Sequence, residues 1–311
     1  MSFYGVRSLF RKLIYNKGSE HQALKNKQLI HSKQMSILEA PPHLNYTDFQ
    51  KAILDYYAAH GRSFPWRTTN DPYSILVSEF MLQQTQTERV VEKYNRWLEV
   101  FPTVQDLAAA SLVQVLEQWV GLGYNRRARF LHQCAQTIVS EYGGVVPDSP
   151  ETLKTLSGIG PYTAAAISTF AYNKPNAFIE TNIRAVFIFF FFKDRTDISD
   201  KELFPHIEAS LYKENPRLWY YALMDYGAEL KKKTVNPNRK SRHYTKQSKF
   251  EGSVRQARGA VIRTLTAHSN QGYAELYGNT QTEKLLFDKA LEGLIREGFV
   301  AEEGGCYSIK Q

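Results

Sequence analysis

Apolar residues recur at helical spacing along most of the chain, and period-two alternation is nearly absent before residue 298. The pattern predicts a mainly α body. In residues 45–60, Phe49, Ile53 and Tyr56–Tyr57 fall near one face, Thr47 and Asp48 suit a first turn, and Gly61 ends the helix. After a loop at 63–67, Asn70-Asp71-Pro72 starts a helix expected from Tyr73 to about Thr87 (YSILVSEFMLQQTQT). It is apolar on most sides, which predicts a central, buried helix. Residues 88–100 are amphipathic, with Val90, Val91, Tyr94, Trp97 and Leu98 inward. Further helices are expected at 104–110, 112–119, 126–142, 150–155, 161–171, 182–192, 200–213 and 217–230, the last burying Trp219, Tyr220, Leu223 and Met224. Two more, at 253–269 and 281–297, precede a hairpin at 299–309 that turns at Gly304-Gly305. Helices followed by a two-stranded wing suggest a small C-terminal winged-helix-like α+β unit.

Length and charge divide this pattern into parts. The 311 residues suit two modest domains, or one with an appendage, and 43% hydrophobic content allows a sizeable core. Residues 1–38 form a basic tail, expected to be disordered, with Arg7, Arg11, Lys12, Lys17, Lys25, Lys27 and Lys33 against Glu20. It resembles a transit peptide, or else translation starts at Met35. Residues 39–230 are the helical body, 231–250 a basic linker without an acid, and 251–311 the winged unit. The net charge of +8 suits a polyanionic partner, or simply solubility. The last helix balances Glu283, Asp288, Glu292 and Glu297 with Lys284, Lys289 and Arg296, which argues against its reading DNA. The densest apolar run, 186–192, is shorter than the roughly 20 residues of a membrane span. Two cysteines, Cys134 and Cys306, exclude a disulfide framework or a four-cysteine metal site and point to a reducing compartment.

Three stretches carry candidate chemistry. In LSGIGPYTAAAISTFAYNKPNAFIETNIR, residues 156–184, Gly158 and Gly160 form a hairpin before a small-residue helix that starts at Pro161. Glycines before a helix N-terminus present amides to an anion. A lone acid, Glu180, follows just before Asn182 and Arg184. On the apolar helix Glu79, Gln83 and Gln86 are expected to share a face. A carboxyl there is desolvated and suited to donating a proton near neutral pH, or it is a buried acid with a structural partner. At Gly121-Leu122-Gly123-Tyr124, followed by Arg126, Arg127 and Arg129, an aromatic beside arginines can wedge into a base stack while the cations hold phosphates. The same residues also read as a glycine-capped turn before a basic helix.

Together these stretches resemble the helix-hairpin-helix (HhH-GPD) DNA glycosylases. LSGIGPYTA and IETNIR carry the likeness, and PWR, DPY, SEFMLQQTQT and GLGYNRRAR narrow it to adenine DNA glycosylases of the MutY type. The resemblance covers roughly residues 60–230. It implies a two-lobed helix-hairpin-helix fold and base excision from double-stranded DNA by a monomer, with a mispaired or damaged base as target. Glu79 maps onto the acid that protonates the base and Glu180 onto the second carboxylate. Gln83, Gln84 and Tyr124 map onto the wedge, with Arg126 and Arg127 beside it. Gly158, Gly160, Tyr162 and Thr163 belong to the phosphate-gripping hairpin. A cytoplasmic, nucleoid-associated enzyme follows if the source is bacterial.

Several departures bear on activity. The second acid is usually aspartate in the family, whereas here it is Glu180. The four cysteines of the family's iron–sulfur loop are missing, so neither cofactor nor metal is expected. The C-terminal region is too short for the family's 8-oxoguanine-reading domain. Relatives of endonuclease III type, which also cleave the strand, carry lysine where this chain has Tyr162, which implies base removal without lyase chemistry. The leading expectation is excision of adenine opposite 8-oxoguanine or guanine. Alternatives are excision of thymine, uracil or 5-hydroxymethyluracil on the same scaffold, and DNA binding without catalysis.

Overall fold

Local signals explain most helix starts. The computed structural model describes residues 45–246 and 249–310. The basic tail 1–38, with Met35, lies outside the described residues. Helix α1 (Tyr46–His60) begins where the Asn45 side chain accepts from the Asp48 amide, and Asp71 does the same for α2 (Pro72–Leu82) at Ser74. Helix α3 is Thr87–Val100; α4 (Val104–Ala109) and α5 (Leu112–Trp119) each open with a reciprocal capping box. Helix α6 (Arg126–Tyr142) stops at Gly143 in the left-handed region. Then come α7 (Pro150–Leu153), α8 (Pro161–Tyr172), α9 (Thr181–Phe191), α10 (Asp200–Ala209) and α11 (Pro216–Lys233).

The C-terminal part follows winged-helix order: α12 (Val254–Ala267), β1 (Gln271–Gly272), α13 (Tyr273–Thr280), α14 (Lys284–Arg296), β2 (Val300–Glu303) and β3 (Cys306–Ile309). The antiparallel sheet runs β1-β3-β2, with Val300 opposite Ile309 and Gln271 opposite Tyr307. Helix α13 and β1 are additions to the sequence-based expectation. Gly272 and Gly278 break up the apolar period there.

The described residues divide into two compact units, those within 45–61, 181–210 and 221–242 in one, and those within 62–180, 211–220, 243–246 and 249–310 in the other. In the first, Phe49 meets Phe187, Phe190 and Phe191 edge-on at 5.1–5.3 Å between centroids, and Tyr56 meets Tyr226. In the second, one buried cluster spans the helical body and the winged part. Trp97, Trp119, Leu131 and Ile167 of the helical body belong to the same buried cluster as Val261, Leu265, Phe287 and Phe299 of the winged part. The winged part is therefore packed into the body's own core.

Two expectations need correction. Residues 231–242 are no linker. Helix α11 continues to Lys233, and a 3-10 turn at Pro237–Lys240 buries Pro237 and Asn238. Asn238 Nδ2 donates to the Thr181 carbonyl at 2.8 Å, Ser241 bridges to Ile198, and Arg242 pairs with Asp197 at 2.7 Å. These partners are distant in sequence, so a run of cations reads as solvated until they are in place. Within α11, Met224 is only half-buried, whereas Asp225 is buried. Among the described residues no helix is long and apolar enough to cross a membrane.

Candidate active site

Helix α2 places a carboxyl in the core. All nine residues from Tyr73 to Met81 are buried, and Glu79 is 6% exposed. The Tyr162 hydroxyl, from the first turn of α8, donates to Glu79 Oε2 at 3.4 Å. Close approach of these helices is possible because α8 presents Thr163, Ala164, Ala165 and Ala166 in succession, all buried. Burial pushes the Glu79 carboxyl up to about 8; the Tyr162 hydrogen bond opposes this, and the charge of Glu180 adds to it. Burial, together with both carboxylates, holds the Tyr162 phenol well above its ordinary value, so it stays a donor. Its ring packs edge-on against Phe178 at 5.7 Å, and Phe178 stacks on Tyr220 at 3.7 Å. Glu180 is half-buried in the extended segment before α9. The site thus joins a buried acid, a phenol and a second carboxyl from three separate elements.

The turn after α2 departs from expectation. The helix ends at Leu82; Gln83 is its C-cap and Gln86 the N-cap of α3, so neither shares a helical face with Glu79. Arg127 supplies the physical reason. Its guanidinium donates to the carbonyls of Phe80, Met81 and Gln83, and also to the Thr85 hydroxyl and the carbonyls of Leu122 and Gly123. The carbonyls that would continue α2 are occupied, and two turns are tied together by one side chain. Arg127 is 7% exposed and lies over the rings of Trp119 and Tyr124. It is therefore an internal clamp, and the expectation that it holds a phosphate is corrected.

The clamp presents two tips. Gln84, exposed, has φ +56°, and Tyr124, half-buried, has φ +48°. Tyr124 is held in place: Arg255 of α12 donates to its hydroxyl and lies over its ring at 5.1 Å. Arg126 is exposed but pairs with Glu297 at 3.0 Å, and Arg258 reaches the same carboxylate at 2.6 Å. Arg255, Arg258 and Glu297 are contributors that local pattern reading missed, since their partners lie more than 100 residues away or on another helix.

In the hairpin Gly158 has φ +77°, and a Cβ there would stand 2.6 Å from Phe130 Cβ and 2.8 Å from Phe80 Cε1. A Cβ on Gly160 would meet nothing within 4 Å. Gly160 caps α8, whose amides at Tyr162 and Thr163 precede the first intrahelical bond, from Ala164 N to Gly160 O at 2.9 Å. The Thr163 side chain is buried and accepts from Gln83 Nε2 at 3.3 Å, so only its backbone remains a candidate for an anion. Among the described residues no three His, Cys, Asp or Glu side chains come together as metal ligands. Cys134 lies in the core with its thiol pushed up to about 12, and Cys306 is on β3.

A buried acid on the central helix, faced by the first turn of a hairpin-capped helix, defines a class. Residues 77–210 match the family described as HhH-GPD superfamily base excision DNA repair protein. The chain is similar to proteins named adenine DNA glycosylase. It is 47% identical over 135 residues to that of Mycolicibacterium smegmatis, covering 43% of this chain and 46% of the relative. To the Homo sapiens enzyme it is 40% identical over 149 residues, covering 45% of this chain and 27% of the relative. The chain thus spans less than half the length of these two relatives. A solved thermostable thymine-DNA glycosylase superposes with a TM-score of 0.54 at 27% identity, covering 59% of this chain and 86% of that one.

Proposed function

We propose that the protein is a monofunctional, cofactor-free DNA glycosylase acting as a monomer on double-stranded DNA. Its target is adenine opposite 8-oxoguanine or guanine. The observation that carries this reading is the buried Glu79 carboxyl, its proton affinity raised by burial, beside Tyr162 and within reach of the Glu180 charge. Phosphate binding alone requires none of these three groups. The 47% and 40% identities to adenine DNA glycosylases support the choice of base.

The chemistry follows from the groups present. A target base leaves the stack to enter the pocket. Glu79 gives its proton to a ring nitrogen of the base, the C1′–N9 bond breaks, and its electron pair leaves with the base. The sugar becomes an oxocarbenium ion, which the Glu180 carboxylate stabilises. Water adds at C1′, and its released proton restores Glu79. Tyr162 keeps the Glu79 carboxyl aligned; a phenol has no amine for a Schiff base, so strand cleavage is not expected. Glu180 in place of aspartate moves that carboxylate by over an ångström, which tunes rate and base choice.

The test is a panel of duplexes with adenine opposite 8-oxoguanine or guanine, and thymine, uracil or 5-hydroxymethyluracil opposite guanine, each cleaved by alkali after incubation. Product from the adenine duplexes is expected. Product from pyrimidine duplexes alone would reject the adenine assignment, and no product at all would leave only binding. Borohydride trapping of a covalent adduct in high yield would refute the monofunctional reading.

A further inference from the structure

A groove of about 1330 Å³ lies beside the two clamped tips, with Gln84 and Tyr124 on one wall and α12 on the other. Six arginines and two glutamates line it, namely Arg89, Arg126, Arg127, Arg255, Arg258 and Arg263 against Glu283 and Glu297. Glu297 is already neutralised between Arg126 and Arg258. Arg127 is enclosed among oxygen acceptors, but Arg89, Arg255 and Arg263 outweigh Glu283, so the remaining field is positive, and guanidinium forks suit phosphate. The groove is larger than the usual 300–1,000 Å³ small-molecule pocket.

Helix α12 has a second feature. Arg255, Gly259 and Arg263 are spaced i, i+4, i+8 and share one stripe that lines the groove. Gly259 lies inside the helix, where glycine weakens it, yet a Cβ there would meet nothing within 4 Å. Nothing packed around this position requires glycine. A bare strip of backbone between two arginines lets a chain of phosphates approach closely. Arg263 is exposed and has no ion-pair partner among the described residues.

We infer that α12, the first helix of the winged part, is a second DNA-binding element whose groove holds the phosphodiester backbone of duplex running past the Gln84 and Tyr124 tips. In this arrangement the charge-balanced α14 is not the DNA-facing helix. Arg255 has a double role, holding Tyr124 upright and facing the groove. Contact with DNA at the groove is thereby linked mechanically to the tip that enters the stack. This rests on the glycosylase reading above.

The test uses the full chain and fluorescence anisotropy with a labelled duplex carrying adenine opposite 8-oxoguanine, at several salt concentrations. Arg263→Ala is expected to weaken binding about 3- to 10-fold at low salt and to reduce the salt slope by about 1. Gly259→Leu is expected to raise the melting temperature by about 2 °C while weakening binding at least about 5-fold, a combination that a purely structural glycine would not produce. If the wild type binds and excises but both variants bind as it does, the groove assignment alone is overturned. If an oligoglutamate peptide competes for the groove and DNA affinity ignores both substitutions, the partner is a protein and the inference fails. If the wild type neither binds nor excises, both readings fail.

Discussion

Arg127 shows how much one side chain can decide. It lies beside Arg126 in sequence, yet Arg126 is exposed and Arg127 is enclosed by oxygen acceptors from two turns. Removing it leaves several carbonyls without donors, so Arg127→Ala should cost more than about 3 kcal/mol in chemical denaturation. Arg127→Lys should recover little, because an ammonium cannot reproduce the planar fork. At Glu79 the expectation concerns pH. The carboxyl is raised to about 8, so single-turnover excision should be flat near neutrality and fall about tenfold per pH unit above 8. Glu79→Gln should abolish turnover while retaining DNA binding; near-normal turnover would remove Glu79 from its role.

At the scale of elements, the hairpin separates two uses of glycine. Gly158→Ala forces a Cβ into Phe130 and Phe80 at an unfavourable φ, and should lower stability by about 1–3 kcal/mol. Gly160→Ala has open space, so its melting temperature should stay within about 1 °C, with DNA affinity reduced several-fold. Equal affinity would remove the turn from the DNA interface. The small-residue face of α8 serves the same end, since a larger residue would separate Tyr162 from Glu79. Among the site elements, α8 and its turn were legible from local sequence because glycine, proline and helix period are short-range signals. The end of α2 was not legible, because Arg127 acts on Gln83 from 44 residues away.

Across the whole molecule, the buried acid couples stability to pH. The folded carboxyl holds its proton between the ordinary value of 4.5 and about 8, whereas the unfolded one does not. The native state binds more protons in that window, so this group's contribution to stability declines as pH rises through it, by at most about 5 kcal/mol. Glu79→Gln lacks that dependence and should melt increasingly above the wild type as pH goes from 5 to 8.5. A constant difference would mean the carboxyl ionises normally. The shared core makes a further prediction. A chain ending at Arg242 loses Val261, Leu265, Phe287 and Phe299 from the cluster that contains Trp97 and Trp119. It should be markedly destabilised or insoluble, not a free-standing catalytic body.

Periodicity and turn chemistry determined what is local: a helical body, the hairpin at Gly158 and Gly160, the apolar setting of Glu79, and the wing turning at Gly304-Gly305. Those features depend on residues a few positions apart, which is the range over which helix and turn energetics act. The tertiary structure alone decided which of two adjacent arginines faces solvent, why α2 stops at Leu82, that residues 231–242 dock instead of link, and that Arg255 reaches Tyr124. Each of these satisfies a polar group with a partner far along the chain. Such pairings are set by which surfaces meet when the core closes, and no period in the sequence records them.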